Sequence, residues 1–199
     1  ALPIEINPIK DILKNIKINN FKISFLTTWV WNLNVVYSLK EYFDKKQKPD
    51  FILNIWTCWT KTGKDISHFQ VCRIKNLSNN KESIPPVYLK LARLDEILCS
   101  DNVIFNWDDL KSFEYVDMES YWIDFICSKE KIPFLLLKKP FDIVWNNSKN
   151  LDLKDLQKSI ISIEFEEIIK LILEYLEKNT PIFSNLEMEK KKKKYLLTF

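Results

Sequence analysis

The sequence predicts an α+β domain: a mostly antiparallel sheet with an N-terminal helix and a C-terminal amphipathic helix packed on it. Three observations point there. Short β-rich runs are bounded by polar turns, two segments carry apolar stripes at helical spacing, and the regular β–α alternation of a doubly wound fold is missing.

The elements follow in order. Asn7-Pro8 suits a helix start, and Ile9, Ile12, Leu13 and Ile16 recur at helical spacing until Asn19-Asn20. Phe21, Ile23 and Phe25 alternate with Lys22 and Ser24, as in a half-buried strand that is expected to run on through Trp29 and Trp31. Val35, Val36, Leu39, Tyr42 and Phe43 fit a second helix. Phe51–Trp59 and Phe69–Ile74 flank a loop holding Gly63, the best hairpin signal in the chain. Asn76–Pro86 reads as a loop; Val87–Leu91, Val103–Phe105, Tyr121–Cys127 and Phe134–Leu137 read as further strands. The final helix starts near Ser162, has Glu164, Glu166 and Glu167 at its positive end and Lys178 at its negative end, and stops at Asn179-Thr180-Pro181. Residues 1–178 are expected to form one globular domain and 179–199 an extension with a lysine-rich tail.

Composition excludes whole classes of chemistry. The 199 residues contain a single glycine, Gly63. Phosphate loops, dinucleotide fingerprints and nucleophile elbows need backbone positions where a Cβ would clash, so none of them fits this chain. Abundant Lys, Ile and Asn with almost no Ala or Arg read as the imprint of an AT-rich genome. No apolar run reaches the roughly 18 residues of a membrane span, and the first residues lack the basic and apolar regions of a signal peptide. Cys58, Cys72, Cys99 and Cys127 are too far apart for a close zinc pair, and His68 is the sole histidine, so no metal and no cofactor is expected. The cysteines read as buried small hydrophobes, with a Cys58–Cys72 bridge as the alternative in an oxidising compartment.

Charge is placed unevenly. The net charge is +3, but residues 1–94 carry +8 and residues 95–124 carry −8. Either the two neutralise each other on the surface or they form separate faces for oppositely charged partners. Lysine outnumbers arginine so heavily that sequence-specific reading of bases is disfavoured, whereas nonspecific phosphate attraction is not.

Candidate functional residues are few. Lys190, Lys191, Lys192, Lys193 and Lys194 form a basic tail next to Tyr195, Leu196, Leu197 and Phe199, a combination suited to docking on an acidic surface. Trp29 and Trp31 share a face if their segment is a strand and then offer a stacking surface. His68 is the sole histidine available as a general base. Pro49-Asp50, Gln70 and Lys75 resemble the Pro-Asp…(Asp/Glu/Gln)-x-Lys core of metal-dependent nucleases and make Asp50 a candidate, but Cys72 and Arg73 occupy the positions where that spacing is decided. Asp108, Asp109 and Glu114 could hold a hard cation.

The reading that follows is a non-enzymatic interaction module or accessory subunit. It would have a protein partner, contact nucleic acid or another acidic partner through lysines, and reside in the cytoplasm or nucleus. The alternatives are a small metal-dependent hydrolase, nuclease or toxin, and a secreted effector of a parasite, virus or plasmid.

Overall fold

The computed structural model of the protein describes residues 9–13, 21–28, 32–46, 48–89, 93–104, 107–110, 112–143, 163–178 and 193–198. Its strands are β1 (Phe21–Leu26), β2 (Phe51–Thr60), β3 (Phe69–Asn76), β4 (Glu82–Ser83), β5 (Leu94–Cys99), β6 (Tyr115–Asp117), β7 (Phe134–Ile143) and β8 (Lys193–Thr198). Residues 9–13 are helical (α1), followed by α2 (Asn32–Lys45), α3 (Ser120–Glu130) and α4 (Ile163–Lys178).

The sheet is mixed, not mostly antiparallel. Parallel pairs join β1 with β8, β2 with β7 and β8, β3 with β5, and β5 with β6. Antiparallel pairs join β2 with β6, β3 with β4, and β3 with β7. The physical reason lies in β2 and β7. Both are buried on two faces, and such strands read as unbroken apolar runs such as Phe51–Ile55 and Phe134–Leu137, which say nothing about direction. The Gly63 loop (φ 67°) likewise joins two strands that do not pair as a hairpin, because β7 lies between β2 and β3.

Five strands close on one another in the order β2, β7, β3, β5, β6 and back to β2. The edge of β2 opposite β7 is shared. Phe51–Asn54 pair with β8, Trp59–Thr60 pair with β6, and residues 55–58 pair with neither. The sheet therefore splits beside the middle of β2.

Helices cover both faces. Val35, Leu39, Tyr42 and Phe43 of α2, with Ile123, Ile126 and Cys127 of α3, pack on Ile52, Cys58, Phe134 and Leu136. Ile9, Ile12 and Leu13, with Ile169, Ile172, Leu173 and Leu176 of α4, pack on Phe51, Leu53, Ile55, Leu135 and Leu137. Burying each of these large side chains contributes roughly 1.5–3 kcal/mol. No helix among the described residues is long and apolar enough to cross a membrane.

Three segments differ from the sequence expectation. Tyr121–Cys127, rich in β-formers, is helical, because as a helix it presents Tyr121, Ile123, Ile126 and Cys127 to the core. With so little glycine available, Lys131 takes the left-handed cap of that helix (φ 56°), and the N–H groups there bond Cys127 and Ser128. Val87–Leu89 and Val103–Ile104 are not strands; Leu94–Cys99 and Tyr115–Asp117 are.

Candidate functional site

At the split in the sheet, β6 leaves β2 and turns into α3 through Asp117, Met118, Glu119 and Ser120. All four are buried: Asp117 is 1 % exposed, Glu119 7 % and Ser120 0 %. The local sequence explains the turn. Asp117 accepts hydrogen bonds from the Ser120 backbone N–H (3.3 and 3.2 Å to its two oxygens) and from the Ser120 hydroxyl, satisfying an orphan donor of the helix start. The Glu119 side chain does not cap the helix; its Oε2 accepts the Met118 N–H at 3.3 Å.

The balancing cation is Lys138 on β7, itself fully buried, with Nζ 2.7 Å from Asp117 Oδ2. Its angle to that oxygen is not that of a directed hydrogen bond, and no other acceptor among the described residues serves its N–H groups. Burial works to strip the Lys138 proton, but the Asp117 and Glu119 carboxylates outweigh it and hold its pKa above the ordinary value. Glu119 moves the other way. Burial, reinforced by Asp117, pushes it up to about 7 against the pull of Lys138. The group is thus poised to exchange a proton near neutral pH. Cys58 and Cys99 lie near the same charges, and burial pushes both thiols up, so neither supplies a thiolate.

The register places Asp142 of β7 away from Glu119: β6 runs antiparallel to β2 and β7, so the chain from Val116 to Glu119 leads towards Lys138. Trp59 of β2 pairs with Val116 of β6 on one side and with Asp142 of β7 on the other, so the three share one rung. Two strand spacings separate the backbones of Val116 and Asp142, roughly 10 Å. The register of β2 and β7 shifts between Cys58 and Trp59, a bulge of the kind found beside active sites.

The residues singled out from sequence fall elsewhere. His68 immediately precedes β3, 4 % exposed; burial and the charge of Lys139 push its pKa down to about 3, so it is neutral at ordinary pH. Asp50 sits just before β2, at the end of that strand opposite Trp59. Trp29, Trp31 and Lys190, Lys191 and Lys192 lie outside the described residues. Lys193 and Lys194 begin β8 and pair with Phe21 and Lys22, so the end of the lysine run enters the sheet.

The acidic segment forms no separate face among the described residues. Asp95 and Glu96 pair with Arg93 and Arg73. Glu114 accepts hydrogen bonds from Thr60 (2.6 Å) and from the Thr62 N–H and hydroxyl (2.7 Å each); burial opposes its ionisation, yet these bonds hold it below its ordinary pKa. Asp124 lines a cleft of about 710 Å³ between β4 and α3, but Ser83 and Ser128 occupy its two oxygens. Among the described residues no group of three His, Cys, Asp or Glu could hold a metal ion. All four cysteines are free.

Sequence reasoning counted Asp117 and Glu119 as surface charge and passed over Lys138. Two signals were present. Asp117 stands three residues before Ser120 where a strand meets a helix, and Lys138 follows four wholly apolar strand residues.

The sequence matches no protein-family model, and no curated protein matches it either. Solved structures do match. The chain is similar to the 5'-methylthioadenosine/S-adenosylhomocysteine nucleosidase of Campylobacter jejuni, with a TM-score of 0.65 at 15% identity over 89% of this chain and 96% of that one. A putative nucleosidase of the same kind from Borrelia burgdorferi, bound to adenine, has a TM-score of 0.65 at 16% identity, covering 89% and 97%. A variant of the Chlamydia trachomatis nucleosidase has 0.61 at 16%, covering 84% and 92%. At such identities the likeness shows the fold: a Rossmann-like α/β architecture that solved nucleosidases share. The expectation of a non-enzymatic module or accessory subunit is corrected to this extent: the structures whose fold the chain shares are those of enzymes.

Proposed function

We propose that the protein is a nucleosidase that hydrolyses the bond between a purine base and its ribose. The observation that carries this reading is Glu119, a buried carboxyl group titrating near 7 where the sheet splits. When an N-glycosidic bond breaks, positive charge develops on the sugar and negative charge on the departing base. A carboxylate beside the sugar stabilises the first, and an acid that yields a proton to the base removes the second. Glycoside hydrolysis uses two carboxyl groups for such tasks. Glu119 supplies one of them.

The likeness to nucleosidases sets the first substrates to try, 5'-methylthioadenosine and S-adenosylhomocysteine, both of which would release adenine. Four free thiols fit a reducing compartment such as the cytoplasm. The test is to incubate the folded protein with each nucleoside, and with adenosine and inosine, and to separate free base from nucleoside by chromatography. Release of base that E119Q abolishes supports the reading. A cooperatively folded protein that frees no base from any of the four contradicts it.

A further inference from the structure

We infer that Lys138 is the positioning residue of this site: acting through Asp117, it fixes the first turn of α3 and so holds the Glu119 carboxyl in place. The inference rests on the nucleosidase reading for its purpose, but its geometry stands alone. A lysine with no exposed surface on β7 has, among the described residues, one charged contact, Asp117 Oδ2 at 2.7 Å. Asp117 in turn holds Ser120 by its N–H and its hydroxyl. Its own carbonyl accepts the Ser100 N–H at 2.8 Å, tying the turn to the end of β5. Glu119 lies between the two clamped residues, so its backbone cannot move without breaking a buried charged contact.

Among the described residues the charged and titratable groups facing Glu119 are Asp117 from β6, Lys138 from β7 and the Cys99 thiol from β5, while Cys58 of β2 faces the same ion pair; the charge of the amino terminus adds a smaller pull in the sense of Lys138. Asp117 and Lys138 act on Glu119 in opposite senses, which makes the clamp testable by sign. With δ-¹³C-labelled glutamate, the Glu119 resonance is identified by its loss in E119Q, and its titration is followed by NMR in wild type, K138M, K138R and D117N.

Removing the cation in K138M raises the Glu119 midpoint by about one unit or more. Removing the competing anion in D117N frees Lys138 to pair with Glu119 and lowers the midpoint by a similar amount, while asparagine still accepts the Ser120 N–H. K138R keeps the charge and leaves the midpoint near that of wild type. Should K138M fail to fold, D117N and K138R decide the matter. A D117N midpoint unchanged from wild type, or a K138R midpoint displaced as far as that of K138M, overturns the inference. Turnover separates the two ideas. If wild type releases no base, the nucleosidase reading fails while the titration still judges the clamp; if base is released, K138R retains most of the kcat that D117N loses.

Discussion

Two clusters of charge, one half-exposed around Arg93 and one buried around Lys138, are built on opposite principles. Around Arg93 both terminal nitrogens of the guanidinium find partners. The guanidinium bonds the Ser67 carbonyl (3.1 Å) and hydroxyl (3.0 Å), pairs with Asp65 and Asp95 at 2.9 Å each, donates to the Tyr115 hydroxyl, and lies 5.2 and 5.0 Å from the Phe69 and Tyr115 rings. The Tyr115 hydroxyl also donates to the Asp65 carbonyl (3.1 Å), so the loop after β2 is pinned to β5 and β6. The second cluster, Asp117, Glu119 and Lys138, is sealed more tightly, with Lys138 lacking directed acceptors among the described residues and Glu119 pushed towards its neutral form. A satisfied cluster is a fastener. A cluster with a displaced pKa and a buried lysine lacking directed acceptors among the described residues costs stability, which is what the proposed catalytic role of Glu119 would account for.

Substitutions can break that contrast. The largest effect is expected for K138M, which leaves Asp117 buried without its cation and should cost about 3–5 kcal/mol in urea unfolding. R93M, whose acidic partners can turn to water, should cost about 1–3 kcal/mol. Equal losses would mean that the two clusters do the same work.

Glu119 allows a test by pH. Its folded pKa, about 7, lies above the ordinary 4.5, so its contribution is whole below pH 4.5 and is lost as pH rises to about 7. The loss is about 3 kcal/mol. E119Q should therefore match wild type near pH 4 and exceed it by about that amount at pH 8, as read from the chemical unfolding midpoint. His68 has the reverse sign. Its folded pKa is depressed to about 3, so its contribution is present above pH 6.5 and lost as pH falls towards 3. In H68N that acid-side loss should be absent.

The smallest effect is expected outside both clusters. Lys131 occupies a left-handed position that glycine accepts freely, and K131G should raise stability by about 0.5–1 kcal/mol.

Local chemistry was legible in the sequence where one residue type decides a feature. The stripe Ile168, Ile169, Ile172, Leu173, Leu176 implied a packed helix, and α4 packs through Ile169, Ile172, Leu173 and Leu176. Gly63 implied a turn, and it takes positive φ. Strand direction was not legible, because Phe51–Ile55 and Phe134–Leu137 are buried on both sides and lack the alternation that a half-exposed strand shows. Tyr121–Cys127 misled for a related reason: aromatic and β-branched residues suit a strand until the buried face of a helix claims them. The site was hidden by its signs. Asp117 and Glu119 sit in a run of acids that resembles solvated surface, and Lys138 becomes informative only when β7 is known to pass beside β6's exit. The lysine run taught the opposite lesson, since charge at Lys193 and Lys194 did not keep β8 out of the sheet.

The central claim is that Glu119 is buried for chemistry and not for stability. It is tested most directly by comparing adenine release from 5'-methylthioadenosine by wild type and by E119Q at pH 7, with both proteins shown to be folded. The account expects wild type to release adenine and E119Q, though the more stable at high pH, to lose at least about 100-fold in rate. An E119Q protein that released adenine at the wild-type rate would contradict it.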